Sequence, residues 1–256
     1  MKRTIAGALV AAMAMLVAAT PAEAAPADPV RALKAKLVAG KGVKFTDVTS
    51  LLQDSEKVTF LKRAGTLQFG RSGIAASDIT ADYTRYQGGI FDHMYTLKSG
   101  RTIMVGGRSY STNPMAGELP DGKKWARDVI CMTGGWLGMF SQVVNPAESA
   151  TLKVLLKGKK QGRTYSGKIT YSALAKVSPW FRASVPFSSK EKTAVTYQLT
   201  LGPDNLPSKL VTSHLASSHV AEGVEVGDGR FSTETRYRGW GSRVSISAPP
   251  KNQIAG

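Results

Sequence analysis

A single cysteine, Cys131, stands in 256 residues, which excludes an intramolecular disulfide framework and any cysteine-based metal cluster. Acidic charge is also scarce: 18 Asp+Glu face 34 Lys+Arg, a formal net charge of +16. In an exported protein such a balance points to anionic wall polymer or lipid headgroups, or to plain surface solvation, rather than to nucleic acid. Histidine is rarer still. His93, His214 and His219 show no metal-ligand spacing with any carboxylate, and no metal is expected. No second apolar run of membrane-spanning length follows the first twenty residues.

The motifs of catalysis are missing as well. Gly117-Glu118-Leu119-Pro120-Asp121-Gly122-Lys123-Lys124 resembles a phosphate loop until Lys124 stands where a Ser or Thr would hold Mg²⁺, so it reads as a turn leading into a helix. Gly70-Arg71-Ser72-Gly73 lacks the spacing of a nucleophile elbow and reads as a hairpin turn. The chain is therefore expected to be non-enzymatic and to need no cofactor.

What is present begins with an export signal. Lys2 and Arg3 precede an apolar run from Ile5 to Ala18, and Ala22-Glu23-Ala24 satisfies the small-x-small rule. Residues 1–24 read as the signal peptide, with cleavage between Ala24 and Ala25, followed by a tether over 25–29, one domain over 30–250 and a tail over 251–256. No cysteine follows the apolar run, so no lipid anchor is expected, and the mature chain should be secreted, soluble, possessed of no transmembrane helix, and monomeric.

Val30, Leu33, Leu37 and Val38 recur at helical spacing. Alternating segments then follow at Val43–Leu52, Val58–Phe69, Ile74–Tyr86, Ile90–Leu97 and Arg101–Tyr110, an antiparallel meander. Lys123–Val144 reads as a very apolar helix loosened at Gly134-Gly135, and a second helix is expected after Asn145 as N-cap and Pro146 at its first position. Strands return from Gly162, at 195–201, 210–215, 230–237 and 244–246. The result is an α+β domain with helices inserted between two runs of strands.

Trp125, Val129, Met132, Trp136, Met139 and Phe140, together with Leu155 and Trp180, supply soft, bulky side chains that either pack a core or line an apolar ligand cavity. In the C-terminal third, Tyr165-Ser166-Gly167-Lys168-Ile169-Thr170, Tyr197-Gln198-Leu199-Thr200-Leu201, Asn205-Leu206-Pro207-Ser208-Lys209-Leu210 and Tyr237-Arg238-Gly239-Trp240-Gly241, leading to Ala248-Pro249-Pro250, follow in an order that resembles the LppX/LprG-type members of the LolA-like lipoprotein-carrier superfamily. That resemblance implies a curved antiparallel β half-barrel with helices over its concave face. It also implies an apolar cavity for acyl chains and a carrier role without catalysis. The partner expected on this reading is a lipid or another hydrophobic molecule. The alternative is an envelope-associated interaction protein with a packed core, adhering by charge to anionic cell-wall polymer or a membrane surface.

Overall fold

A computed structural model describes residues 28–53, 55–84, 99–113, 118–128, 138–185, 192–216 and 229–255. The chain opens with α1 (Pro29–Lys34), whose first turn is closed by the Asp28 carboxylate accepting from the Val30 amide at 3.1 Å. Next comes a meander of β1 (Lys41–Gln53), β2 (Glu56–Gly70), β3 (Gly73–Tyr83), β4 (Gly100–Val105), β5 (Arg108–Ser111) and β6 (Ala126–Asp128). After α2 (Ser149–Leu155) the chain forms β7 (Lys159–Gln161) and β8 (Thr164–Thr170), then α3 (Tyr171–Val177) and α4 (Pro179–Ser184). It closes with β9 (Ala194–Leu201), β10 (Pro207–Leu215) and β11 (Arg230–Arg243).

The eleven strands among the described residues join one open sheet in the order β6-β5-β4-β3-β2-β1-β11-β10-β9-β8-β7, every pairing antiparallel. Two meanders are thus joined at the middle by the first and last strands, where Phe45 lies opposite Tyr237 and Thr49 opposite Thr233. This is the α+β architecture expected from the sequence, an open antiparallel half-barrel with its helices against one face. Along β1 the phase Val43, Phe45, Asp47, Thr49, Leu51 is buried, while Lys44 and Val48 between them are exposed. The main core lies on the buried side, where Leu33, Leu152, Leu155, Leu174, Trp180 and Phe181 of the helices meet Val43, Phe45, Leu67, Val195, Leu199 and Leu210 of the strands.

Several expectations need correction. Lys123–Val144 is not one helix: residues 126–128 pair as β6 with β5, Trp125 bridges to Ile254, and Gly138–Phe140 form one 3-10 turn ahead of an extended stretch. Open backbone bonds along β5 outweigh helical periodicity in those first residues. Arg101–Tyr110 is a hairpin rather than one strand, because Gly106 and Gly107 adopt φ of 61° and 73°, the pair of positive angles a two-residue turn requires. Asn145 does not cap α2: its Oδ1 accepts from the Ala147 amide at 2.9 Å, and the helix starts at Ser149 behind Glu148. Helices α3 and α4 lie between Gly162 and Val195, where alternation was expected to return but no element was named; Thr170 and Ser178 cap them and Pro179 opens the second. β11 continues to Arg243 through Gly239 and Gly241, both at positive φ, and 244–246 is not a strand. The Ile90–Leu97 segment, His93, His219 and Cys131 lie outside the described residues.

Candidate functional site

Where the helical layer meets the middle of the sheet, the buried face is polar. β1 places Asp47 there between Phe45 and Thr49, and β2 places Arg63 directly across from it. Both side chains are fully inaccessible. Arg63 Nη2 donates to Asp47 Oδ2 at 2.7 Å and Arg63 Nε to Oδ1 at 3.1 Å, a forked pair, with the guanidinium carbon 5.8 Å from the Phe45 ring centre.

The extended stretch after the 3-10 turn hangs over this pair. Gln142 Nε2 donates to Thr235 Oγ1 at 3.0 Å, and its Oε1 accepts from Thr212 Oγ1 at 3.0 Å and from the Val144 amide at 3.2 Å. Its carbonyl accepts from Trp180 Nε1 at 2.9 Å. One side chain therefore ties the connection before α2 to β10 and β11, and its backbone ties it to α4. Glu148 repeats the device one step along, accepting from the Trp180 amide at 2.7 Å, from Thr151 Oγ1 at 2.9 Å and from Ser178 Oγ. Burial pushes its carboxyl above the usual range, against the lowering effect of those donors. Tyr237 has its phenol pushed upward by burial and by the neighbouring Asp47 charge, so it stays protonated.

Between these groups lies a cavity of about 10 Å³, room for roughly one water. Phe45, Leu67, Val144, Trp180 and Tyr237 form its apolar wall, and Asp47, Arg63, Gln142, Asn145 and Thr235 its polar one. A paired carboxylate and a neutral phenol can orient a polar group by hydrogen bonds. The phenol, held protonated, is not poised to trade protons near neutrality.

The structure distributes the sequence-predicted residues over both faces. Trp180 lines the cavity, Leu155 lies in the same core and Phe140 packs edge-on to Phe231 at 5.9 Å. Trp125 is on the opposite face, clustered with Ile103 and Tyr110 beneath Ile246 and Ile254 of the C-terminal segment. The reason is register: Thr102 lies opposite Ile79 of the core phase, so Ile103 and its partner Tyr110 point away from the helices. Val129, Met132 and Trp136, the Met139 side chain, and Ala24 and Ala25 lie outside the described residues. The residues that sequence reasoning missed are Asp47, Arg63, Gln142, Asn145 and Tyr237. A signal for the first two exists, because each charge occupies the apolar phase of its strand, Phe45-Asp47-Thr49 and Leu61-Arg63-Leu67.

No known sequence family and no curated protein matches the chain. Solved structures do. The chain is similar to a LolA superfamily protein from Nitrosomonas europaea, with 9% identity and a TM-score of 0.31 over 89% of this chain and 96% of that one. A DUF1329 family protein from Desulfovibrio piger follows at 11% identity and TM-score 0.29, over 82% and 92%. A putative outer membrane lipoprotein-sorting protein domain from Vibrio parahaemolyticus follows at 10% and 0.26, over 82% and 90%.

Proposed function

We propose that the protein is an exported, non-catalytic binding protein that holds a lipid or other hydrophobic ligand between its helices and its sheet, after removal of residues 1–24. The observation that carries this reading is the seam cavity, walled by Phe45, Leu67, Val144, Trp180 and Tyr237 where α4, the 142–145 stretch and the central strands converge. With room for about one water it holds no acyl chain as it stands, so binding requires the helices over it to lift. The helices over it suit that movement: each is six or seven residues, too short to be stable apart from its packing. Polar anchors at Gln142 and Glu148 give the layer a defined seat to return to.

The test is native mass spectrometry with organic extraction of protein purified from an exporting host without detergent. A lipid at fixed stoichiometry is the expected result, retained at high salt because acyl burial is not screened. A clean apo mass with no uptake of a fluorescent acyl probe overturns the reading. Trp180→Ala enlarges the seam and is expected to change ligand capacity. The rival is a packed-core protein adhering to the envelope by charge, and the smallness of the cavity favours it. On that account Trp180→Ala only destabilises, by about 3–5 kcal/mol, and leaves no ligand to alter.

A further inference from the structure

The sheet face turned away from the four helices carries its charge unevenly. On β1, β2, β10 and β11 the outward phase holds Lys44, Lys62, Lys209, Arg230, Arg236 and Arg238 against a single acid, Glu234. Register sets like charges side by side: Lys44 lies directly opposite Arg238, and Lys209 opposite Arg236. Cross-strand pairs of one sign oppose folding. Glu234 relieves the second pair, taking Lys209 at 3.2 Å and Arg236 at 2.6 Å. Among the described residues no carboxylate pairs with Lys44 or Arg238.

Between these cations the floor is low. Thr46, Val48, Ala64, Thr66 and Val211 occupy the same phase with short side chains, and Val48 is 40% exposed in its centre. Of the cations, Lys44, Lys62, Arg236 and Arg238 stand exposed, whereas Arg230 donates from Nε to Ser213 Oγ at 3.2 Å. The cations spread in two directions, across four neighbouring strands, about 14 Å at the usual strand spacing, and along β11 from Arg230 to Arg238, about 26 Å. A linear polyanion can follow one row of such an array, whereas a charged plane meets every row. The positions carry no aromatic ring on which a base could stack.

We propose that this outer face of β1, β2, β10 and β11 docks on the surface of an anionic lipid bilayer, with the helix-covered seam turned away from it. The proposal deepens the carrier reading and rests on it, since it supplies the surface from which a lipid is taken or to which it is delivered. Each cation brought to an anionic leaflet strengthens binding about fivefold.

The experiment is co-sedimentation of the exported protein with vesicles of phosphatidylcholine alone and of phosphatidylcholine mixed with phosphatidylglycerol. Binding is expected to the mixed vesicles only, and to fall as salt rises. Lys44→Gln with Arg238→Gln is expected to weaken it about 25-fold, with a thermal midpoint no lower than the parent's because a like-charge pair is removed. Lys62→Gln alone, which leaves that pair intact, is expected to weaken it about fivefold. Lys153→Gln with Lys176→Gln makes the same change of net charge at exposed positions on α2 and α3 and should alter binding by less than about twofold. No binding to mixed vesicles, equal losses from both double variants, or displacement by soluble polyphosphate at matched phosphate concentration overturns the proposal, the last by assigning the face to a polymer. Docking without an extractable lipid sinks the carrier reading and the purpose assigned to docking; an extractable lipid without docking sinks this proposal alone.

Discussion

Asp47 and Arg63 sit in strand phases that their neighbours fill with Phe45, Leu61 and Leu67, and both are wholly removed from water. Each offsets the buried charge of the other. Asp47→Ala leaves a buried guanidinium without its carboxylate and is expected to cost about 3–5 kcal/mol, read as a lowered urea midpoint. Replacing both, as Asp47→Leu with Arg63→Met, removes the desolvation penalty along with the attraction and is expected to recover most of that loss. If the double variant is as unstable as the single one, the pair has a role beyond mutual neutralisation. The same substitutions report on the seam, since both residues border the cavity beside Trp180 and Tyr237.

Among the elements, the contact of β8 and β9 with α2 depends on a missing side chain. Gly167 lies opposite Tyr197, and a Cβ at Gly167 would stand 2.7 Å from the Tyr197 hydroxyl oxygen. That hydroxyl donates to the Leu155 carbonyl at 2.9 Å, near the end of α2. Gly167→Ala is expected to push the ring aside, break this bond and cost about 1–3 kcal/mol. Thermal unfolding gives the magnitude. Loss of amide-exchange protection confined to α2 and β8 would locate it, whereas uniform loss would contradict the local account. At the other end of the same helix, Glu148 gathers Thr151, Ser178 and the Trp180 amide, so α2 and the start of α4 share one acceptor. This is why two helices too short to persist alone hold one orientation.

At the scale of the whole molecule, buried titratable groups tie stability to pH. His214 is completely buried against Phe231 and Tyr171, and burial, assisted by the Arg230 charge, lowers it from 6.5 to about 3. A depressed histidine is neutral in the folded chain while the unfolded chain takes up a proton below 6.5. Its contribution is therefore complete above that pH and is lost as pH falls toward 3, at up to about 1.4 kcal/mol per pH unit. Glu148 works the other way: its carboxyl is raised by burial, so the folded state binds the extra proton and stability declines as pH climbs from 4.5 upward. The two oppose each other from pH 4.5 up to the raised folded value of Glu148. His214→Gln is expected to flatten the acid limb of a chemical-denaturation curve measured across pH. An unchanged limb would assign acid sensitivity elsewhere.

Alternation of apolar and polar residues determined where β1, β2, β3, β9 and β10 run, because a half-buried strand needs nothing except a period of two, and that period is local. The basic excess was equally legible. Pairing decided the rest. Residues 125–128 open a segment with an apolar, helical look, but β5 offers them open backbone hydrogen bonds and Ile254 a bridge, so they extend and Trp125 turns to the outer face. The seam needed the fold too. Asp47, Arg63, Gln142, Trp180 and Tyr237 are separated by as many as 190 positions, and only the joining of the first and last long strands, with the helical layer laid across them, sets them around one cavity. Charge on the outer face followed the same rule: composition supplied the lysines and arginines, and register alone placed Lys44 beside Arg238.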